Sequence, residues 1–273
     1  LVIVDVQRGG PSTGLPTKTE QSDLLQAVWG RNGDAPLAVL AAATPGDCFY
    51  MAIEAVRVAV KYMTPVILLT DGYVANSSEP WQLPNLEALK PFPVQHHTDP
   101  EGFSPFLRDD RTMARVWAVP GTPGTEHRIG GLEKDRRTGH ISYDPHNHHV
   151  MTQYRQQKIA GIANDLAAAS VDQGEPEGDL LIVGWGSTYG AISQAVRVLR
   201  ERGHHVSHLH LRHIWPLPEG LRTILHSFKS ILVPELNNGQ LVKLLRAEMD
   251  VDAESLTRVT GQPFRIGGLI EAV

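Results

Sequence analysis

This sequence has one cysteine, no strong excess of either charge and no long apolar run. With Cys48 alone among 273 residues, the chain cannot close an internal disulfide or supply the thiolate sets of iron–sulfur clusters and cysteine-rich zinc sites. Lys and Arg total 25 against 30 Asp and Glu, and the formal net charge of −5 offers no basic surface for nucleic acid. The longest apolar stretch, residues 37–43, is far shorter than the about 20 residues that cross a bilayer. These absences predict a soluble, cytoplasmic protein with neither nucleic acid nor membrane as a partner.

The sequence also lacks an initial methionine and a secretory signal. The first four residues are apolar, but Asp5 and Arg8 follow and no cleavage site appears. Because LVIVDV has the composition of a buried strand, we expect the chain to be part of a longer polypeptide. At about 100–200 residues per domain, its length indicates two domains or parts of them.

Short apolar runs alternate with helix-length amphipathic stretches, which is typical of an α/β fold with parallel strands buried on both faces. The strand candidates are residues 1–4, 37–40, 66–69, 180–183, 206–211 and 231–233. Capping-box spacing of Thr17 and Glu20 predicts a helix start there, and Thr44-Pro45 predicts another. In that second helix Phe49, Ile53, Val56, Val60 and Met63 follow a helical period, which predicts its buried stripe.

The middle of the chain differs in composition, since residues 74–150 are rich in Pro, Gly, His and charge, and all 13 histidines follow residue 95. We therefore expect a first domain over 1–120, a connecting segment over 121–175 and a second α/β domain over 176–273. His146, His148 and His149 could bind a metal in isolation, but no H-E-x-x-H spacing occurs, so we expect no metal site here.

The loop after the first strand, residues 8–19 (RGGPSTGLPTKT), is suited to binding an anion. It combines tandem glycines, four hydroxyl side chains and the cations Arg8 and Lys18, with no acidic residue between Asp5 and Glu20. A nucleotide P-loop is disfavoured because Leu15-Pro16 stand where Lys-Ser/Thr must be. A surface turn with incidental cations remains the alternative on composition alone.

The segment DVQRGGPSTGLPTKTEQSDL at 5–24, together with DGYVANSSEPW at 71–81, resembles the α subunit of 2-oxoacid:ferredoxin oxidoreductases of the 2-oxoglutarate type. The resemblance continues in order through residues 122–158, through GWGSTYGAISQAVRVLRERG at 184–203 and through VPELNNGQL at 233–241. It implies the C-terminal part of a thiamine-diphosphate-binding, pyrimidine-type domain, followed by a transketolase C-terminal-like α/β domain.

The resemblance further implies an enzyme that converts 2-oxoglutarate, CoA and oxidised ferredoxin to succinyl-CoA, CO2 and reduced ferredoxin. Thiamine diphosphate with Mg2+ and a [4Fe-4S] cluster would be held mainly by a partner β subunit, in an α2β2 assembly. By the same resemblance Arg8 would pair with the carboxylate of the 2-oxoacid, and Gly9, Gly10, Ser12 and Thr13 would shape the neighbouring wall. A planar guanidinium can orient a carboxylate so that the keto carbon faces the cofactor.

Three parts of the family pattern are absent from this chain. The Tyr-Pro-Ile-Thr-Pro motif and the glutamate that acts on the aminopyrimidine precede the RGGPSTG motif in the family, and so does an additional α/β domain. We therefore expect this chain alone to be inactive. A non-catalytic assembly module, or a subunit like transketolase or the E1-β of 2-oxoacid dehydrogenases, are the alternatives.

GWGSTYG at 184–190 invites a dinucleotide-binding interpretation, but the third glycine comes one place late and no acid ends the following strand. We expect this second domain to serve assembly more than chemistry, and Glu235 to be structural. Cys48 is expected to be a small buried residue rather than a nucleophile.

Overall fold

The computed structural model describes residues 1–273 and shows an α/β architecture built on two four-stranded sheets. The strands are β1 Val2–Gln7, β2 Ala38–Ala41, β3 Val66–Asp71, β4 His96–His97, β5 Trp117–Ala118, β6 Gly178–Trp185, β7 Val206–Leu211, β8 His213–Trp215, β9 Phe228–Glu235 and β10 Ala253–Thr257. The helices are α1 Leu24–Trp29, α2 Asp47–Lys61, α3 Gly72–Asn76, α4 Pro145–Gly161, α5 Tyr189–Glu201, α6 Leu221–His226, α7 Gln240–Met249 and α8 Ile266–Glu271.

The first sheet has the order β1-β3-β2-β8, with β1, β3 and β2 parallel. The second sheet has the order β10-β9-β6-β7 and is parallel throughout. All six predicted strands are confirmed. The sequence did not predict β8, a short strand from the second half of the chain that joins the first sheet antiparallel to β2.

One hydrophobic core joins the two halves of the chain. In a cluster of 24 buried residues, Leu24 and Val39 from the first half pack with Trp185 and Leu245 from the second. Full burial of a side chain of this size contributes roughly 1.5–3 kcal/mol. The second sheet is therefore packed firmly against the first rather than tethered to it.

Two helix predictions are wrong in detail. Thr17 does not cap a helix: it has φ +64°, and α1 starts at Leu24 without a side-chain cap. The chain before α1 is held extended because Thr19 N–H and Gln21 N–H donate to carbonyls of the second half of the chain. In α2 the predicted stripe is also wrong, since Val56 is exposed and the fully buried face carries Met51, Ala55, Val58 and Ala59.

Residues 77–144 are mostly irregular, and the only strands among them are the two-residue β4 and β5. Their turns depend on polar side chains: the buried Lys134 ammonium donates to the carbonyls of Gly130 (2.9 Å) and Leu132 (2.7 Å). The next helix, α4, begins at Pro145 with Asp144 accepting a bond from the His146 N–H. None of the helices combines the length and apolar character that crossing a bilayer requires.

Candidate substrate-binding site

The loop of residues 8–19 leaves the first sheet at its carboxyl edge, where β1 and β3 end in register with Gln7 opposite Asp71. The buried Gln7 side chain links the end of β1 to β3 and to the segment before α1. Its amide donates to the carbonyl of Thr70 (3.0 Å), and its oxygen accepts from the N–H of Asp23 (3.0 Å). Ligands of open α/β sheets bind at this edge, so the fold puts the loop where a site is expected.

The loop closes into a tight turn that needs glycine at position 14. The Leu15 N–H donates to Gly9 O (2.8 Å), and the Gly9 N–H donates to Lys18 O (3.0 Å). Gly14 has φ +49°, and a Cβ there would overlap the carbonyl of Gly9. The glycine is therefore required both for its backbone conformation and for the close approach of two strands of the turn.

Arg8 points into a cavity of about 570 Å³, and Gly10 and Ser12 lie on the same wall. The exposed guanidinium donates to the carbonyl oxygens of Ser12 (2.8 Å) and Thr13. A guanidinium has five N–H groups, so these two bonds hold the side chain in place and leave donors for a ligand. Gly9 is buried inside the turn, away from the cavity wall.

Three carboxylates also face this cavity: Asp5, Glu20 and Asp23. Burial, and then the charge of Asp23, raises the pKa of the Asp5 carboxyl. Asp5 and Glu20 flank the loop in sequence and Asp23 follows, and the fold places all three acids in the cavity that Arg8 lines. The site is therefore a mixed-charge cavity, and the expectation of a simply cationic loop was incomplete.

The second half of the chain builds the opposite wall, with Asn237, Asn238, Gln240 and Val259. The contact between the two halves of the chain depends on Gln21, which is 0% exposed. Its amide donates to Trp185 O (2.8 Å), and its oxygen accepts from the Leu236 N–H (2.9 Å). Its carbonyl accepts from the Asn237 side chain (2.8 Å). The prediction that this half serves assembly more than chemistry is thus incomplete, because it positions the loop of residues 8–19.

Comparison with known proteins shows the family to which this chain belongs. Residues 1–143 match the model of the thiamine-diphosphate-binding domain of pyruvate flavodoxin/ferredoxin oxidoreductases, and residues 178–268 match pyruvate:ferredoxin oxidoreductase core domain II. The chain belongs to the 2-oxoacid:ferredoxin oxidoreductase family. The predicted fold, a thiamine-diphosphate-binding domain followed by a second α/β domain, is confirmed.

Curated relatives agree with this assignment. The chain is 52% identical to the 2-oxoglutarate oxidoreductase subunit KorA of Mycobacterium tuberculosis, over all of this chain and 42% of that protein. It is 31% identical to the 2-oxoglutarate synthase subunit KorA of Archaeoglobus fulgidus, over 99% of this chain and 68% of that protein. The chain thus spans less than half of the first relative and about two thirds of the second.

A solved structure shares the whole fold. The 2-oxoglutarate:ferredoxin oxidoreductase of Magnetococcus marinus, determined with 2-oxoglutarate, coenzyme A and succinyl-CoA bound, superposes with a TM-score of 0.94 at 34% identity. The match covers 99% of this chain and 47% of that chain.

The GWGSTYG segment packs against Gln21 and does not form a dinucleotide site. We call this contact between the two halves of the chain, made by Gln21 with Trp185, Gly186 and Leu236, the seam. Gly186 has φ +57°, and a Cβ there would lie 2.8 Å from the Gln21 amide nitrogen. The space where a pyrophosphate would approach is therefore filled by Gln21. Glu235 stiffens the same seam, since its buried carboxylate accepts from the Trp185 indole (3.2 Å) and from the Leu241 N–H (2.7 Å).

The histidines and the cysteine lie elsewhere. His146, His148 and His149 fall in the first turns of α4, and His148 pairs with Glu133. No group of three or more His, Cys, Asp or Glu side chains is arranged to hold a metal ion. Cys48 is half-buried in α2, and burial followed by the charge of Asp47 raises the pKa of its thiol. A raised pKa disfavours the thiolate that a nucleophile needs.

The cavity offers donors for a carboxylate but no metal site. The Arg8 guanidinium suits a carboxylate, whereas no group of side chains here is arranged to hold the Mg2+ of a bound diphosphate. Sequence reasoning missed most of the wall. Asp5, Asp23 and Gln21 flank the loop but carry no motif of their own, and Asn237 and Gln240 lie more than 210 residues away in sequence, as their bonds to residues 21 and 22 show.

Proposed function

We propose that this chain is part of the α subunit of a thiamine-diphosphate-dependent 2-oxoglutarate:ferredoxin oxidoreductase, which forms succinyl-CoA, CO2 and reduced ferredoxin from 2-oxoglutarate, CoA and oxidised ferredoxin. The observation that carries the proposal is Arg8, held by its own loop at the carboxyl edge of the sheet and facing a cavity. The names of the curated relatives and the ligands of the Magnetococcus marinus enzyme support the choice of 2-oxoglutarate.

In this proposal Arg8 binds the C1 carboxylate of the 2-oxoacid through paired N–H donors and orients the keto carbon. Gly10 and Ser12 shape the wall beside it, and Asn237 and Gln240 close the far side. Gly9 and Thr13 support that wall from behind, since Gly9 closes the turn and the Thr13 carbonyl accepts from Arg8. Thiamine diphosphate, when bound, supplies the nucleophile and electron sink for decarboxylation. The chain's own contribution is therefore to bind and align the substrate.

A partner chain is part of the proposal. With one cysteine, this chain cannot ligate a [4Fe-4S] cluster, so the cluster would lie on a β subunit with the Mg2+-diphosphate end of the cofactor. We place the enzyme, as an α2β2 assembly, in the cytoplasm.

The test is reduction of ferredoxin or of a viologen dye by the purified complete complex, with CoA and either 2-oxoglutarate or pyruvate. We expect reduction with 2-oxoglutarate and little with pyruvate. No reduction with any 2-oxoacid would contradict the proposed activity. Equal turnover of both substrates would contradict the proposed substrate.

A further inference from the structure

Glu20 brings a buried negative charge into the cavity that Arg8 lines. Of the residues that this chain contributes to the cavity wall, Arg8 is the one cation, whereas Asp5, Glu20 and Asp23 are acids. Glu20 is 8% exposed, while Asp5 and Asp23 are only partly buried. Because water screens a buried charge less than an exposed one, Glu20 should act on a bound anion more strongly than a surface acid at the same distance.

The backbone fixes the direction of the Glu20 side chain. The N–H of Thr19 donates to a carbonyl of the second half of the chain (3.3 Å), and so does the N–H of Gln21 (3.0 Å). These two bonds hold the chain extended on both sides of Glu20. Neighbouring side chains of an extended chain point to opposite sides, so Gln21 enters the seam and Glu20 faces the cavity.

Glu20 lies close to Arg8 without forming an ion pair with it. A Cβ on Gly9, the residue that follows Arg8, would lie 3.4 Å from Oε1 of Glu20. The Arg8 guanidinium donates to carbonyl oxygens of its own loop, and no ion pair joins it to any of the three acids. An anion held by Arg8 therefore meets the repulsion of Glu20 as well as the attraction of the guanidinium.

This repulsion depends on the charge of the bound group. A guanidinium binds carboxylates and phosphates alike through paired N–H donors, and by itself Arg8 would favour the group with the larger charge. The repulsion from Glu20 is about twice as large for a doubly charged phosphate ester as for a carboxylate at the same place. Glu20 thus offsets the preference of Arg8 for the doubly charged group.

We propose that Glu20 is a specificity-determining residue, which makes the Arg8 cavity select a singly charged carboxylate over a doubly charged phosphate. This inference rests on the proposed function, in which Arg8 binds the C1 carboxylate of a 2-oxoacid. The second carboxylate of 2-oxoglutarate is separated from the first by the carbon chain, so only one charge lies at the guanidinium. Inorganic phosphate and phosphate esters carry both charges in one group and are therefore selected against.

The test compares propyl phosphate with methyl propyl phosphate, each titrated calorimetrically into the purified complete complex, saturated with its cofactors, at constant ionic strength. At about pH 8 the first probe carries two charges and the second carries one, since the second pKa of a phosphate ester is about 6. We expect the unaltered complex to bind the singly charged probe more tightly. Glu20→Gln should strengthen the binding of propyl phosphate, relative to that of methyl propyl phosphate, about fivefold or more.

Two control variants separate charge from shape and position. Glu20→Asp keeps the charge, and Glu201→Gln makes the same exchange at the exposed end of α5, so both should leave the ratio of the two affinities unchanged. Arg8→Ala should abolish the binding of both probes, and 2-oxoglutarate should displace them from the unaltered complex.

Three results would overturn the proposal: an unchanged ratio in Glu20→Gln, an equal change of the ratio in Glu20→Asp, or probe binding that survives Arg8→Ala. Turnover of 2-oxoglutarate, measured on the same preparations, tests the proposed function separately. A complex that follows the expected ratios without any turnover would contradict the proposed activity and support the selection by Glu20.

Discussion

Replacing Gln21 by methionine should destabilise the protein far more than its modest change in size suggests. The Gln21 side chain bonds to Trp185 O and to the Leu236 N–H in a site that excludes water. Trp185 O keeps a second partner, the Thr188 hydroxyl at 2.8 Å, whereas the Leu236 N–H has no other acceptor. One lost hydrogen bond, about 0.5–1.5 kcal/mol, plus one orphaned buried donor, about 1–3 kcal/mol, gives a loss of about 1.5–4.5 kcal/mol.

Urea-induced unfolding of the complete protein measures this loss. Gln153→Met, on an exposed face of α4, is the matched control and should change the free energy of unfolding by less than about 0.5 kcal/mol. Because Gln21 anchors the loop that carries Arg8, the variant should also raise the KM for the 2-oxoacid. A loss indistinguishable from that of the control would refute the view that this bond network holds the two halves together.

The remaining predictions concern the turn, the buried histidines and the seam. Gly14→Ala should weaken substrate binding, measured as a rise in KM, because its Cβ overlaps the Gly9 carbonyl; an unchanged KM would show that the turn can adjust. His208 is fully buried, and burial lowers its pKa to about 4 from 6.5, so the unfolded state binds the proton more tightly. Stability should be complete above about pH 6.5 and fall as the pH drops toward 4, and His208→Leu should flatten that dependence in unfolding experiments; an unaltered slope would contradict this cause. Glu235→Gln places an amide N–H against helix α7 donors and should lower the unfolding midpoint, whereas an unchanged midpoint would mean that the carboxylate charge contributes nothing.

The strands were predictable from the sequence because burial on both faces leaves a run of apolar residues. All six predicted runs are strands, including residues 206–211, in which Ser207, His208 and His210 are buried polar side chains. Helix faces were harder. In α2 the small residues Ala55 and Ala59 pack on the sheet while the larger Val56 stays exposed, so periodicity of bulk pointed to the wrong face.

The site was predictable only where it is continuous in sequence. The loop with Arg8, Gly10 and Ser12 could be identified from its composition and its resemblance to a family, and the structure puts these residues on a cavity wall. The opposite wall of the cavity could not be identified from the sequence, since Asn237 and Gln240 reach it only after the two sheets have packed together. The raised pKa of Asp5 could not be predicted either, because it depends on burial and on the charge of Asp23, which only the fold brings near.

The central claim is that Arg8 holds the carboxylate of the 2-oxoacid, and steady-state kinetics of Arg8→Ala in the complete complex test it most directly. Charge-assisted hydrogen bonds of about 1.5–3 kcal/mol predict a KM for 2-oxoglutarate raised about tenfold to a hundredfold, or loss of turnover, with ferredoxin or viologen as acceptor. Arg197→Ala, on the exposed face of α5, should leave the kinetics unchanged. Unaltered KM and kcat in Arg8→Ala would contradict the assignment.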